Sequence, residues 1–182
     1  MARIPYFDPA QATGTAVNAY AALPNLNIFR MLGHSGDLLE GFSRFGGYLL
    51  NRTVLDPILR EIAIVRVGVL SKASYEVHQH EAISQRLGMS DELIAAIHEG
   101  PGAAAFTDLQ RQVMAFTDDV VANVRAGDAT FNPLRDALGP KALQELTVTI
   151  GFYMLVSRFL ETFDVEIEET SPGAVRVSGE KA

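Results

Sequence analysis

Cysteine is missing from the whole chain of 182 residues. Its absence excludes disulfides, thiolate metal sites and every mechanism that uses a thiol nucleophile. Tryptophan is absent too, and basic residues are few: 15 Lys and Arg stand against 22 Asp and Glu, which gives a net charge of -7. Because the basic residues are scattered along the chain, we do not expect a nucleic-acid partner.

The chain also lacks a long uninterrupted hydrophobic run. Its longest apolar stretch, residues 146–160, is interrupted by two threonines, a serine and an arginine, and the N-terminus has no hydrophobic region typical of a signal peptide. We therefore predict a soluble cytoplasmic protein with no membrane partner. Hydrophobic residues make up 48% of the sequence and nothing marks a linker, so a single domain over residues 1–182 is expected.

Apolar residues recur with helical periodicity along nearly the whole chain, and no series of alternating strands is present. We predict an all-α, single-domain helical bundle. Gly46 and Gly47 are expected to bend or break the third helix. Residues 164–182 are acidic and then rich in Ser, Gly and Pro, which predicts an exposed tail. The expected helices cover approximately residues 10–22, 24–32, 35–50, 56–70, 72–88, 90–99, 107–125, 132–138 and 140–163.

Two of these helices, at residues 56–70 and 140–163, are apolar on nearly every face. A single small bundle can seldom hide two such helices completely, so we predict a homo-oligomer. The alternative is that residues 140–163 form a core helix within one subunit.

An ionisable residue, Glu61, lies in the middle of the first of these apolar helices. Asp56 is placed to cap that helix and Pro57 to open it. At about 100° per residue, the carboxylate points into whatever covers the apolar face. It must find a partner or have a raised pKa, and a carboxyl with a raised pKa can act as a general acid or base. Its neighbours on the helix surface are Ile58, Ile64, Val65 and Gly68.

The next helix carries Glu76 and His80 one turn apart on its own apolar stripe. The two side chains can meet as an (i, i+4) pair, and their apolar surroundings argue against a freely solvated face. Tyr75 lies on the far side of this helix, and His78 flanks the stripe. The alternative is a surface ion pair that contributes roughly 0.2–0.5 kcal/mol.

The segment from Leu59 to His80 resembles the carboxymuconolactone decarboxylase and alkyl hydroperoxidase D-like superfamily. It has a Glu inside an apolar helix, a short turn, and then Tyr-Glu-x-x-x-His. In the thiol peroxidase branch, a Glu and a His form a proton relay to a Cys-x-x-Cys pair. The resemblance puts the relay on Glu61 and His80 but the two cysteines on Ala73 and Glu76. Because both sulfurs are missing, thiol peroxidase activity is not expected.

The decarboxylase branch needs no thiol, and the resemblance therefore favours a decarboxylase or lyase that acts without a cofactor on a small carboxylated lactone or aromatic-derived acid. Such a reaction leaves a delocalised carbanion, which must be stabilised and protonated at carbon. We expect His80 to donate the proton, Glu61 to orient the imidazole or exchange its proton, and Glu76 to hold it charged.

Arg66, Tyr75 and His78 are the predicted substrate-binding residues. Arg66 lies about 140° from Glu61 around the helix, and its alternative role is an ion pair across an interface. No metal is expected, because the His and Glu residues lack the spacing of helical metal sites. The alternative function is a non-catalytic oligomeric binding protein that kept the fold of a thiol peroxidase and lost its cysteines.

Overall fold

The structure is a computed structural model that describes residues 1–169 and 175–179. No strand occurs in these residues, and the all-α prediction is confirmed. Eight α-helices follow one another along the described chain: α1 (Thr15–Ala22), α2 (Asn27–Leu32), α3 (Gly36–Asn51), α4 (Pro57–Ser71), α5 (Ser74–Arg86), α6 (Asp91–Glu99), α7 (Asp108–Asn123) and α8 (Asp128–Phe163).

Helix α4 is the centre of the bundle and packs against α5, α7 and α8. Its start is set as the sequence predicts: the Asp56 carboxylate accepts hydrogen bonds from the backbone N–H groups of Ile58 and Leu59, and Pro57 opens the helix. It ends at Lys72, which adopts a left-handed conformation (φ 57°). Every residue from 59 to 68 is buried, so charged side chains on this helix must find partners inside the core.

Helix α8 supplies the other large part of the core. The two helices predicted at 132–138 and 140–163 form one helical stretch that is interrupted at Gly139 (φ 71°, ψ 171°), just before Pro140. Within the described residues, α8 alone is long and apolar enough to cross a membrane by length and composition. Its inner face packs against α4 and α7, as expected of a core helix.

Helix α3 is continuous, so the predicted bend at Gly46 and Gly47 does not occur. Gly46 is buried, and a Cβ placed on it would lie 3.3 Å from the ring of Phe152 on α8. The glycine therefore lets α3 approach α8 closely, and the intact helix is stabilised by this packing.

The described part of the tail predicted at 164–182 is mostly exposed or half-buried but is attached to the bundle at two buried residues, and residues 170–174 and 180–182 lie outside the described residues. Val165 and Val177 are buried, and the backbone N–H of Ser178 donates to the Leu50 carbonyl oxygen at 3.2 Å. We refer to residues 164–169 and 175–179 as the C-terminal segment. Its valines pack on the bundle, whereas Ile167 is exposed and the average composition of the segment is that of a solvated arm.

An apolar surface strip supports the predicted homo-oligomer. Phe45 and Tyr48 on α3 and Leu155 on α8 are 44%, 43% and 54% exposed, and the Phe45 ring contacts Phe152 of α8 at 5.3 Å between centroids. Adjacent exposed apolar residues of this kind mark association surfaces.

We expect light scattering at micromolar concentration to show a dimer or larger assembly, and Leu155→Glu to convert it to monomer by burying an unpaired charge in the interface. Leu70→Glu, a change at an exposed leucine at the end of α4, is the control and should leave the mass unchanged. A monomeric wild-type protein would contradict the oligomer prediction.

Candidate active site

Glu61 and His80 meet in the interior of the bundle. Helices α4 and α5 are joined by a tight turn at Lys72 and Ala73, which lays them side by side with both residues facing inward. His80 Nδ1 lies 2.6 Å from Glu61 Oε2, and the Glu61 side chain is completely buried. The structure thus brings together the two residues predicted to form the proton relay.

Arg60 is a third member of this cluster that the sequence reasoning missed. Its Nε donates to Glu61 Oε1 at 2.9 Å and its Nη1 donates to the Leu50 carbonyl oxygen at 2.9 Å, while its side chain is fully buried. One indication was available: a cation adjacent to Glu61 on a helix apolar on every face must itself be buried and paired.

Glu76 completes the cluster on the other side of the imidazole. Its Oε1 lies 3.1 Å from His80 Nε2, but the two atoms are not aligned as a hydrogen bond, and this buried oxygen has no other hydrogen-bond partner among the described residues. The Glu61 carboxylate therefore fixes the ring at Nδ1. The Glu76 carboxylate lies near Nε2 and can still accept a hydrogen bond.

The charges of the cluster balance only when His80 is protonated, because Arg60 and His80 then face two carboxylates. Burial by itself would lower the pKa of His80, but the charges of Glu61 and Glu76, together with the hydrogen bond from the ring to Glu61, raise that pKa to about 9. His80 is consequently an imidazolium at neutral pH.

This raised pKa predicts a pH-dependent stability. The folded state binds the His80 proton more tightly than the unfolded state, whose histidine has a pKa near 6.5. The stabilisation is therefore fully present below pH 6.5 and is lost as the pH rises through about 9. We expect the free energy of unfolding to fall by about 3 kcal/mol across this range, as measured by urea denaturation. In a His80→Gln variant the free energy of unfolding should depend much less on pH. An unchanged pH dependence would contradict the assignment of the raised pKa to His80.

A cavity of about 300 Å³ opens beside the cluster and is bounded by α2, α3, α5, α8 and the C-terminal segment. Its walls are mainly apolar, with Phe29, Phe42 and Phe152 among them, as is usual for sites that bind small molecules. Its polar lining residues are Ser43, Tyr75, Glu76, His78, Gln79, His80, Arg86, Tyr153 and Glu168.

Tyr75 and His78 line this cavity, as predicted for substrate-binding residues, but Tyr75 does not lie on a solvated far side of α5. It is 2% exposed, and its hydroxyl donates to Glu168 Oε1 at 2.6 Å. Glu168 also accepts hydrogen bonds from the Asn27 backbone N–H at 2.6 Å and from the Gln79 amide at 2.8 Å. The C-terminal segment covers this face, and no local pattern in the sequence indicates that it would.

Arg66 is not part of the cavity, which contradicts its predicted role in substrate binding. It forms a bidentate pair with Asp118 at 2.6 and 2.8 Å and donates to the Ile97 carbonyl oxygen. This intrachain pair fixes α4 to α7 and leaves the guanidinium no face toward a substrate. The cation that lines the cavity instead is Arg86, whose Nη2 donates to the Val175 carbonyl oxygen at 3.0 Å.

The remaining histidines lie outside the cluster. His98 is a surface residue that pairs with Glu81 at 2.6 Å, and His34 Nε2 lies 2.7 Å from the Pro5 carbonyl oxygen. Within residues 1–169 and 175–179, no group of three or more His, Asp or Glu side chains is arranged to hold a metal ion.

The structure is thus an all-α bundle with a buried Glu–His pair on two adjacent helices. Residues 36–119, a little under half of the chain, match the model of the carboxymuconolactone decarboxylase family. The matched region contains Glu61, Glu76 and His80. Over that region the chain is similar to this family, although the whole chain contains no cysteine.

Solved structures share this fold at low sequence identity. An uncharacterised peroxidase-related protein from Silicibacter sp. TM1040 is 16% identical with a TM-score of 0.78, and the alignment covers 93% of this chain and 94% of that one. The alkylhydroperoxidase AhpD core of a peroxidase-related protein from Ralstonia eutropha JMP134 is 21% identical with a TM-score of 0.76, covering 92% and 93%.

A third similar structure is a cysteine-to-alanine variant of the debrominase Bmp8 in complex with 2,3,4-tribromopyrrole. It is 17% identical with a TM-score of 0.70, and the alignment covers 84% of this chain and 81% of that one. No protein of curated function matches the chain significantly.

Proposed function

We propose that this protein is a cofactor-independent decarboxylase or lyase that protonates a carbon atom of a small carboxylated ring compound, with His80 as the proton donor. The observation that carries the proposal is the position of the His80 ring, which lies between two buried carboxylates at the wall of an apolar cavity. A histidine with a pKa of about 9 is protonated at neutral pH, so it is prepared to give a proton rather than to remove one.

Each member of the cluster has a separate part in the proposed reaction. Glu61 fixes the imidazole through Nδ1, so the Nε2 proton is the one offered to a ligand. Glu76 keeps the ring charged and lies on the Nε2 side. Arg60 holds the second oxygen of Glu61, which prevents that carboxylate from turning away. The proton donor is therefore preorganised before substrate binds.

The proposed step balances without an added oxidant or reductant. The bond between the ring carbon and the carboxylate breaks, carbon dioxide leaves, and the electron pair passes into a conjugated carbonyl as an enolate. A carbon of that enolate takes the proton from His80 Nε2, the carbonyl re-forms, and the imidazole recovers a proton from water. Because the conjugated carbonyl accepts the electrons, the substrate itself supplies the electron sink that a cofactor would otherwise provide.

Arg86 takes the place that Arg66 was predicted to fill. It is the cation besides His80 in the described lining of the cavity, and it attracts the substrate carboxylate while the aromatic walls receive the ring. The debrominase complex shows that a related fold holds a small planar ring, which agrees with a ring-shaped substrate here.

The test is a panel of small lactone acids and dicarboxylic acids, each paired with its methyl ester. We expect at least one acid to raise the melting temperature and its ester to do so less, because the ester lacks the charge that Arg86 attracts. Carbon dioxide release is then measured for each acid that binds. Binding without turnover would favour the alternative of a non-catalytic binding protein, and the absence of any stabilising acid would contradict the proposed substrate class.

The chain should have no thiol peroxidase activity. A disulfide-cycling peroxidase needs an attacking thiolate and a resolving thiol, and the sequence contains neither. We expect the metal-free protein with a dithiol reductant to consume hydroperoxide no faster than the reductant alone. Sustained turnover above that background would show that another residue attacks peroxide.

A further inference from the structure

Tyr153 on α8 is a buried tyrosine whose hydroxyl has no hydrogen-bond partner among residues 1–169 and 175–179. Its ring contacts the His80 imidazole edge-to-face at 4.8 Å between centroids, it is 4% exposed, and it lines the cavity. Its hydroxyl forms no hydrogen bond with any described residue. Buried tyrosine hydroxyls normally have a partner, as the hydroxyl of Tyr75 does with Glu168.

The other hydroxyl groups in the cavity lining already donate hydrogen bonds. The Ser43 hydroxyl donates to the Leu39 carbonyl oxygen at 2.7 Å, and both the Tyr75 hydroxyl and the Gln79 amide donate to Glu168. Among the described residues, the Tyr153 hydroxyl is consequently the hydroxyl donor of the cavity lining that is left for a ligand.

The surroundings of Tyr153 keep it protonated. Burial and the nearby charges of Glu76 and Glu61 raise its pKa well above the ordinary value, against a smaller opposing effect of Arg60. It therefore remains a hydrogen-bond donor at neutral pH.

We propose that the Tyr153 hydroxyl donates a hydrogen bond to the carbonyl oxygen of the substrate and stabilises the enolate oxygen that forms as carbon dioxide leaves. This inference rests on the proposed function and deepens it. His80 supplies a proton to carbon, and Tyr153 beside it binds the oxygen on which the electron pair accumulates. Two carboxylates, Glu76 and Glu168, line the same cavity and would repel that oxygen, so a neutral donor is needed there.

The pairing of these two donors also narrows the substrate class. The acid must carry a ring carbonyl placed β to the carboxylate, or conjugated with it through one double bond. Only then does breaking the carbon–carbon bond deliver its electrons to an oxygen within reach of a hydroxyl. Acids of similar size without such a carbonyl should bind without releasing carbon dioxide.

The decisive experiment uses 4-nitrophenol, whose anion is a stable mimic of an enolate and absorbs visible light. In wild-type protein we expect the bound phenol to ionise at a lower pH than the free one. In Tyr153→Phe its ionisation constant should fall at least about tenfold, because one donor to the oxyanion is lost. 4-Nitroanisole, which cannot ionise, should bind both proteins equally. Tyr48→Phe, which removes a hydroxyl from the exposed surface of α3, is the matched control.

The ionisation of bound 4-nitrophenol does not depend on turnover. The role of Tyr153 and the proposed decarboxylase function can therefore fail separately. Equal ionisation of 4-nitrophenol in wild type and Tyr153→Phe, or no binding of it by wild type, overturns the role of Tyr153 even if acids are decarboxylated. With a turned-over acid, we expect Tyr153→Phe to lower kcat by about 10²-fold and to change KM little. An unchanged kcat would overturn the role as well.

Discussion

Replacing His80 with Asn is expected to slow the decarboxylation of any acid that the wild-type protein turns over by about 10²–10⁴-fold. This is the range that a positioned general acid contributes to a rate. Asparagine keeps a polar group in the site but has no titrating proton to give to carbon. Glu61→Gln should cause a comparable loss, since the amide cannot hold the imidazole charged through Nδ1. Both rates are measured as carbon dioxide release, and circular dichroism confirms that the variants fold.

The double variant should lose little more than either single variant. Glu61 acts on the substrate only through His80, and groups that act as a unit are not additive. His98→Asn is a matched control, because His98 also pairs with a carboxylate at 2.6 Å but lies on the surface, and we expect it to leave the rate unchanged. His78→Ala should reduce the rate of carbon dioxide release less than His80→Asn does. Full activity of His80→Asn would show that the proton comes from elsewhere.

The sequence alone predicts helices α4 and α5. It also predicts the contact between Glu61 and His80. The cap at Asp56, the opening Pro57 and the apolar periodicity are local features, and a short turn between two such helices leaves few ways to arrange them. An ionisable residue on each apolar stripe then points toward the shared interior. The family resemblance strengthens this prediction without replacing its physical basis.

The rest of the site depends on contacts that are remote in sequence. Tyr75 is on the opposite face of α5 from His80, and it becomes part of the cavity only because Glu168, 93 residues later, packs against it. Arg66 was expected to bind substrate or to form an ion pair across an interface, and its partner is Asp118 on α7 of the same chain. Composition predicted a solvated tail because two buried valines in an acidic segment do not change its average character. Tertiary packing decides such cases, and helical periodicity contains no information about it.

The buried pairing of Arg60 is another contact that helical periodicity does not predict. Its replacement has the largest expected effect on the free energy of unfolding. Arg60→Met is expected to lower the free energy of unfolding by about 3–5 kcal/mol, the usual result of removing one partner of a buried ion pair. The substitution keeps much of the apolar stem but leaves Glu61 and Glu76 facing the single positive charge of His80. It also leaves the Leu50 carbonyl oxygen without its guanidinium donor.

Arg135→Met is the matched control for this measurement. Arg135 Nε lies 2.9 Å from the carboxylate of the following residue, Asp136, which is the same distance as in the Arg60–Glu61 pair. The Arg135 side chain is half exposed, however, and an exposed pair of this kind contributes little. Urea denaturation of the two variants therefore separates the effect of burial from that of the ion pair itself.

Adding Glu61→Gln to Arg60→Met should restore part of the lost stability, although Glu61→Gln alone destabilises the protein. With both changes, the cluster again contains one cation and one carboxylate, His80 and Glu76, so its net charge returns to zero. In the single Arg60→Met variant the unbalanced negative charge should raise the pKa of His80 further, which NMR titration of the imidazole detects. If the double variant is less stable than Arg60→Met, or the His80 pKa falls in that single variant, charge balance is not what holds this cluster together.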